Sequence, residues 1–271
     1  MKHWTPEDIP WDSFDPARVN GDILKIVKAA SLVEGNGRDY AHYLCNVFDD
    51  DAKFQDAARA WAEEEVQHGD VLGRWAELAD CEFDFSDCLK RFTDGYKLPL
   101  EATSSVRGSR AGELVARCIV EVGTSSHYSA LAGATDEPVL KEICRRIAAD
   151  ELRHYKLFYN HLKRYLDREG LGVLGRLRVA LGRITESQDD ELAYAYYAAN
   201  GGTEPYDRKR NIRAYVQKAY PYYRPGIVQR SVAMTCKATG LKPNGRLSRI
   251  VGRLAWRFMA YRQRRLAQTP G

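Results

Sequence analysis

The sequence predicts an all-α protein with a four-helix bundle at its centre. The motif Glu-x-x-His occurs twice, at Glu65–His68 and at Glu151–His154. A lone glutamate precedes each copy at nearly equal spacing, Glu34 by 31 residues and Glu121 by 30. Apolar residues around all four sites recur with the period of a helix. Four antiparallel helices that point these side chains inward form the ferritin-like arrangement, and additional helices follow it toward the C-terminus.

The first two helices of the bundle are predicted from capping residues and apolar periodicity. Asp15 before Pro16 suits a helix start, and this helix is expected to run to about Phe48. The weak helix formers at 35–37 predict a bulge within it. Aspartates at 49–51 suit the positive end of the second helix. The first motif interrupts the inward apolar stripe of that helix, which consists of Phe54, Ala58, Trp61, Glu65, His68, Leu72 and Trp75.

The third and fourth helices repeat this pattern after a connection at 81–109 that we expect to be mostly irregular. The third helix is predicted to start near Ala111, and the fourth to extend from about Glu137 to Arg168. In the fourth helix, the second motif again interrupts an apolar stripe. The inward residues of the third helix are Leu114, Cys118, Glu121, Ser125 and Tyr128.

The C-terminal part is predicted to be a helical extension. Shorter helices are expected at about 171–182 and from a cap at Thr185 to about Ala199. Glycines at 201 and 202 predict the boundary between a bundle domain at 1–200 and a basic extension at 201–271. The helices of the extension are expected near 208–220, 225–239 and 245–266.

The net charge of +4 conceals a strong asymmetry. Residues 208–271 contain 16 Lys and Arg and no acidic residue, whereas residues 1–207 hold 25 basic and 37 acidic residues, a net −12. The basic extension favours an acidic partner, with nucleic acid and a membrane surface as the alternatives. An apolar stripe runs between its arginines: Leu247, Ile250, Val251, Leu254, Phe258 and Tyr261. Packing of that stripe on the bundle is the simplest interpretation of it.

Composition narrows the class of protein further. No apolar run approaches the roughly 18 residues that span a bilayer. The N-terminal residues lack the apolar segment of a secretory signal, so we expect a cytoplasmic protein. The six cysteines form no C-x-x-C pair, which indicates reduced thiols and argues against a zinc or rubredoxin-type iron site.

Charged residues on the inward helix faces need a compensating partner, and a metal supplies one. Four carboxylates and two imidazoles suit iron, with manganese as the alternative, better than zinc. Because four negative charges balance two divalent ions, we expect two Fe ions per chain, in the Fe2+ and Fe3+ states of a centre that passes electrons to dioxygen. The predicted ligands are Glu34, Glu65, His68, Glu121, Glu151 and His154.

Residues beside the ligands have predicted supporting roles. Asp150 and Glu64 directly precede the motif glutamates and are expected to hold the two imidazoles, although a solvated Glu64 is the alternative. Thr124, one turn after Glu121, is the candidate catalytic hydroxyl, with close helix packing as the alternative. Trp61 is a core aromatic or part of an electron path. The other helical histidines are not expected to bind metal: His42, His127 and His161.

The two motifs lie within longer segments that carry a family resemblance. Residues 61–72 (WAEEEVQHGDVL) are similar to the pattern W-x-x-E-E-x-R-H-G-D-x-L, and residues 143–154 (ICRRIAADELRH) to I-C-x-x-I-A-A-D-E-x-R-H. Both patterns are typical of the soluble acyl-carrier-protein desaturases of the stearoyl type, which the chain resembles from roughly Glu34 to Tyr155. Thr124 matches the family's threonine, whereas Gln67 replaces its usual arginine.

This resemblance implies a di-iron centre bound by the six predicted ligands. It implies oxygen-dependent insertion of a double bond into a fatty acyl chain on an acyl carrier protein, with electrons from a ferredoxin-type donor. The chain length, the position of the double bond, the use of another acyl carrier and a homodimeric assembly are left open.

Two other function classes compete with this interpretation. One is a related di-iron hydroxylase or oxygenase, for which the basic extension suggests tRNA as a substrate. The other is a ferritin-like protein of iron or peroxide redox chemistry, although rubrerythrins usually add a C-x-x-C domain that this chain lacks. A ribonucleotide reductase small subunit would place its radical tyrosine four residues after the first motif's histidine, where Leu72 stands.

Overall fold

The computed structural model describes residues 3–186, 190–201 and 204–267, and it confirms the all-α prediction. These residues contain eleven α-helices and no β-strand. The helices are α1 Gly21–Gly35, α2 Gly37–Val47, α3 Ala52–Ala79, α4 Phe85–Gly95, α5 Arg110–Ala134, α6 Pro138–Glu169, α7 Val173–Glu186, α8 Asp190–Asn200, α9 Arg208–Ala219, α10 Pro225–Thr239 and α11 Arg246–Ala267.

The four helices of the central bundle are α1, α3, α5 and α6. Helix α1 packs along α3, α5 packs along α6, and α3 contacts α6. Two apolar clusters fill the bundle, one around Leu72 and Ile143 and the other around Phe54 and Phe158. Both Glu-x-x-His motifs lie between these clusters along the helix axes. The apolar core therefore holds the four helices in register on either side of the predicted ligands.

Side-chain caps fix where the long helices begin. The Asp51 side chain accepts a hydrogen bond from the Phe54 backbone N–H at the start of α3. The buried Glu137 caps α6 by accepting from the backbone of Val139 and Leu140, and it also accepts a 2.7 Å hydrogen bond from Trp75 Nε1 on α3. The predicted starts of these helices are confirmed, and the cap of α6 also ties it to α3.

The prediction of one helix from Asp15 to Phe48 is wrong. Asp15 caps only the short 3-10 helix Pro16–Arg18, and α1 begins after Asn20, whose side chain accepts hydrogen bonds from two backbone N–H groups. Asn36 then separates α1 from α2, so the predicted bulge is a complete break. The reason is a close helix crossing, since a Cβ atom on Gly37 would lie 2.7 Å from the Cβ of Glu65.

The connection 81–109 is mostly irregular, as predicted, but it also contains α4, which the sequence analysis did not predict. Asp84 caps α4, and the helix buries Cys88 and Phe92. The signal for α4 was present, because Phe85, Cys88, Leu89 and Phe92 recur with the period of a helix, but it covers only about three turns. The predicted cap at Thr185 is wrong, because Thr185 lies within α7 and its hydroxyl donates to the carbonyls of Leu181 and Gly182.

The three C-terminal helices agree with their predicted positions. Helix α9 packs on α8 and α1, α10 packs on α5 and α7, and α11 packs on α10 and α9. Gly202 lies outside the described residues, and the division at 200/201 stays a prediction. The interpretation that the apolar stripe of α11 packs on the bundle is wrong, because its side chains are 40–61% exposed. Within the described ranges, every helix is too short or too polar to cross a bilayer.

The crossing of α1 and α3 depends on Gly69. A Cβ atom there would lie 2.5 Å from the backbone N and 2.6 Å from the Cα of Gly35. Because backbone atoms cannot rotate away, we expect Gly69→Ala to lower the free energy of unfolding by about 1–3 kcal/mol. Urea unfolding of EDTA-treated protein, followed by circular dichroism, measures this change.

Gly133→Ala on α5 is the matched control, because a Cβ atom at Gly133 would contact nothing within 4 Å. That change is expected to leave the free energy of unfolding unchanged or to raise it by about 0.5–1 kcal/mol. Equal effects of the two substitutions would show that the close crossing does not constrain the fold.

Candidate metal centre

The bundle brings all six predicted ligands to one place. Helix α1 supplies Glu34, α3 supplies Glu65 and His68, α5 supplies Glu121, and α6 supplies the remaining two. None of the six is more than 8% exposed. Four carboxylates and two imidazoles therefore share a site that is closed to bulk water, where their charges require compensation.

These side chains form two overlapping groups, in each of which the ligand atoms lie within 4.8 Å of one another. The groups are Glu34, Glu65, His68 and Glu151, and Glu65, Glu121, Glu151 and His154. Each group has one histidine and one glutamate of its own. Glu65 and Glu151 belong to both, so each can bridge two neighbouring cations.

The hydrogen bonding of the six residues fits such cations. One buried polar atom of each lacks a hydrogen bond of good geometry among the described residues, and their nearest approach is the 2.9 Å ion-pair contact of His154 Nδ1 with Glu65 Oε1. The six atoms are Glu34 Oε2, Glu65 Oε1, His68 Nδ1, Glu121 Oε1, Glu151 Oε1 and His154 Nδ1. An unpaired buried polar atom costs about 1–3 kcal/mol. Six such atoms converging on one region would be costly without a ligand, and oxygen and imidazole nitrogen are donors that iron binds.

Protons compensate the carboxylates in the metal-free protein. Burial, together with the neighbouring Glu151, raises the pKa of Glu121 to about 8. Burial and the charges of Glu151 and Glu34 also raise the pKa of Glu65 well above its usual value. Burial alone would raise the pKa of Glu151, but the nearby imidazoles of His154 and His68 reverse this and hold it far below its usual value.

The two histidines take up protons for the same reason. Burial disfavours the charged imidazole of His68, but its hydrogen bond with Asp150 and its ion-pair contacts with Glu151 and Glu34 prevail and raise its pKa well above the usual value. The pKa of His154 is raised in the same way, because its carboxylate contacts outweigh the effect of burial. Cations that enter the site must therefore displace protons.

A second layer of carboxylates orients the imidazoles. His68 Nε2 lies 3.1 Å from Asp150 Oδ2, and His154 Nε2 lies 2.8 Å from Glu64 Oε2. Both Nδ1 atoms consequently face the carboxylate groups. Arg153 joins this layer, since its Nη2 lies 2.5 Å from Asp150 Oδ1 and 3.1 Å from Glu64 Oε2. The Glu64 side chain is therefore partly buried against the imidazole of His154 and is not simply solvated.

Thr124 and Trp61 lie beside the predicted ligands. Thr124 Oγ1 donates a 2.6 Å hydrogen bond to Glu151 Oε2 and also lies 3.1 Å from the Val120 carbonyl. The Trp61 ring meets the His154 ring edge-on at 6.4 Å, and its Nε1 has no hydrogen-bond partner among the described residues. Thr124 therefore contacts a carboxylate that both groups share, whereas Trp61 packs against one imidazole.

Sequence reasoning missed four residues of the site: His3, Trp4, Tyr128 and Arg153. His3 Nε2 lies 3.1 Å from Glu64 Oε2 and 3.5 Å from Asp150 Oδ2. Trp4 Nε1 donates a 2.6 Å hydrogen bond to Asp150 Oδ2, and its ring stacks on His68 at 6.1 Å. No periodic pattern marks the N-terminal segment that carries it. Tyr128 donates a 2.6 Å hydrogen bond to Glu34 Oε1. The sequence indicated this role only through the presence of a hydroxyl-bearing side chain on the inward face of α5. His42, His127 and His161 belong to neither group.

The sequence of the chain also identifies its protein family. The profile of the family described as fatty acid desaturase matches residues 46–181, which is half of the chain. The chain belongs to the fatty acid desaturase family. The matched segment contains five of the six predicted ligands. Glu34, Trp4 and the basic extension lie outside it. Among curated proteins, none matches the chain.

The shifted pKa values of the buried carboxyl groups and histidines predict how pH changes the stability of the metal-free protein. Folding raises the pKa of four groups, namely Glu65, Glu121, His68 and His154. The stability that these bound protons contribute is present at low pH and is lost as pH rises through the pKa of each group in the folded protein, which is about 8 for Glu121. Between about pH 6 and about pH 8.5 we expect the melting temperature of EDTA-treated protein to fall by roughly 3 °C or more. Thermal unfolding followed by circular dichroism measures it.

Glu121→Gln is the control, because it removes one titrating group and should make the fall smaller. Protein reconstituted with iron should also show a smaller fall, since cations replace the protons. A melting temperature that rises over this pH range in EDTA-treated protein would contradict the proton balance described above.

Proposed function

We propose that this chain is an oxygen-dependent di-iron desaturase that introduces a double bond into a fatty acyl chain carried by an acyl carrier protein. One observation supports the metal above all others: each of the six predicted ligands turns a buried atom without a well-formed hydrogen bond toward the same region. The fatty acid desaturase match supports the reaction class. The motif resemblance to the acyl-carrier-protein desaturases favours the carrier.

Bound iron would supply the redox chemistry that activates dioxygen and breaks carbon–hydrogen bonds. Glu34 and His68 would hold one ion, Glu121 and His154 the other, and Glu65 and Glu151 would bridge them. In the overall reaction, dioxygen takes two electrons from the acyl chain and two from the electron donor. With the hydrogens lost from two neighbouring carbons and two further protons, it leaves as two molecules of water.

The protein residues keep this chemistry ordered. Asp150 and Glu64 hold the Nε2 side of each imidazole, which keeps Nδ1 directed at the carboxylates. The apolar clusters on both sides of the site exclude bulk water. Thr124 is half-buried and bonded to Glu151, so its hydroxyl can pass a proton to or from the oxygen of that carboxylate.

Electrons need a route into a site that is closed to solvent. Trp4 is partly exposed, donates a hydrogen bond to Asp150 and stacks on His68, while Asp150 in turn contacts His68. This contiguous chain of side chains joins the protein surface to the predicted ligands. We infer that a ferredoxin-type donor delivers electrons at Trp4.

The charge asymmetry supports an acidic carrier. Residues 208–239 hold eight Lys and Arg and no acidic residue, and α9 and α10 carry most of them on the outside of the bundle. An acidic carrier protein would associate with this surface electrostatically, and the association would weaken with salt.

The first test of the proposal is metal content. Purified protein reconstituted anaerobically with ferrous iron should hold about two iron ions per chain. His68→Ala or Glu151→Ala should remove most of this iron, because each deletes a ligand of a mutually dependent set. Metal analysis by mass spectrometry measures the ratio.

The matched control is His161→Ala, which deletes a buried histidine of α6 outside both groups. Its iron content should equal that of the unchanged protein. Stoichiometric zinc with no uptake of iron would contradict the redox mechanism.

The second test uses Thr124→Val, which keeps the side-chain shape and removes the hydroxyl. We expect turnover to fall roughly tenfold or more with iron still bound, or electrons to be lost to peroxide. The assay combines ferredoxin, its reductase, NADPH and acyl carrier proteins with acyl chains of several lengths, and mass spectrometry identifies the product. Ser126→Ala is the control, because it removes a buried hydroxyl on a different face of α5 from Thr124. This variant should turn over normally.

The product of the unchanged protein decides the reaction. Loss of two hydrogen atoms from the acyl chain supports desaturation. Gain of one oxygen atom would make the protein a hydroxylase, and oxygen consumption without a changed acyl chain would make it a redox protein of another kind.

A further inference from the structure

Helix α11 presents an apolar stripe to solvent. Six of its side chains are 40–61% exposed: Leu247, Ile250, Val251, Leu254, Phe258 and Tyr261. They are half of the twelve large hydrophobic side chains that are exposed in the described part of the chain. Their spacing places all six on one face over about 21 Å of helix. A surface helix normally turns such a stripe toward the core.

The opposite face of α11 makes the contact with the body of the protein. Ser248 is completely buried, and its carbonyl accepts a hydrogen bond from Gln229 of α10. A Cβ atom on Gly252 would lie 2.1 Å from Gln229 Oε1, so α10 and α11 approach closely there. The apolar stripe, which will be called the outer stripe, therefore faces away from the protein because the inner face is already occupied.

A row of arginines runs beside the outer stripe. Arg246, Arg249, Arg253 and Arg257 are exposed and recur at intervals of three or four residues. Among the residues that the structure describes, none of these four forms a salt bridge. All seven charged residues of α11 are arginines. The exposed surface of the helix thus combines a continuous apolar stripe with an unneutralised cationic edge.

We propose that α11 docks on an anionic lipid bilayer, lying in the plane of its surface. The outer stripe would enter the boundary between headgroups and acyl chains, and the arginine row would bind lipid phosphates. A helix that carries seven arginines cannot cross the bilayer, so docking in the plane is the geometry that satisfies both surfaces. This docking is independent of the reaction proposed above.

The charge of α11 argues against the other occupants of the outer stripe. Two copies of the helix packed stripe to stripe would bring their arginine rows together with no acidic residue on either helix to pair with them. An acidic carrier protein would pair with the arginines, but its acidic surface would leave the apolar side chains facing polar groups. An anionic bilayer complements both the apolar and the cationic part.

Sedimentation with lipid vesicles tests this inference on the 271-residue chain as purified, with or without bound iron. Vesicles of phosphatidylcholine with phosphatidylglycerol should bind the protein, and vesicles of phosphatidylcholine alone should bind it at least tenfold more weakly. Arg249→Gln with Arg253→Gln should lower the partition coefficient about fivefold per arginine. Leu254→Glu with Phe258→Glu should abolish binding.

Leu78→Glu is the matched control, because Leu78 is 48% exposed on α3, away from α11. It should bind vesicles like the unchanged protein, and all variants should match that protein in iron content and helicity. Absence of binding to anionic vesicles, or equal loss in Leu78→Glu, would overturn the inference. A dimer in solution that Leu254→Glu with Phe258→Glu dissociates, or loss of carrier binding in that variant, would instead assign the outer stripe to a second copy or to the carrier.

Discussion

The structure depends on one electrostatic constraint, which is that four carboxylates in the core of a helical bundle must be balanced by positive charge. Six buried atoms of the predicted ligands lack a well-formed hydrogen bond within the described residues. In the metal-free protein, protons on the two histidines, Glu65 and Glu121 meet this demand. Two divalent cations would replace these protons, because four negative charges equal their total charge. The apolar clusters on both sides supply the free energy that holds the carboxylates together.

The surroundings of the site follow from the same constraint. Each imidazole is held by a carboxylate behind it, and Arg153 bridges those two carboxylates. Trp4 reaches Asp150 from a segment 146 residues away in sequence, which ties the N-terminal segment to the second motif. Tyr128 and Thr124 donate to Glu34 and Glu151. Every hydrogen bond of this outer layer leaves the inward ligand atoms available to a cation.

The sequence predicts the features that depend on local pattern. Charged motifs inside apolar stripes indicated the inward faces of α3 and α6, and Asp51 and Glu137 marked where these helices begin. The weak helix formers at 35–37 indicated an irregularity after Glu34, but not a complete break at Asn36, because the break occurs where α3 crosses closely at Gly69. Trp4 carries no periodic signal. The stripe of α11 has the same pattern whether it is buried or exposed, so only its packing shows that it faces outward.

Low-temperature Mössbauer and electron paramagnetic resonance spectroscopy of the oxidised protein, loaded with the Mössbauer-active iron isotope, tests the central claim most directly. Two ferric ions that share the bridging carboxylates Glu65 and Glu151 should couple antiferromagnetically. We therefore expect quadrupole doublets without magnetic splitting and almost no paramagnetic signal. A strong signal from isolated high-spin ferric ions, accounting for the bound iron, would show that the carboxylates do not hold a coupled pair, and it would contradict the account.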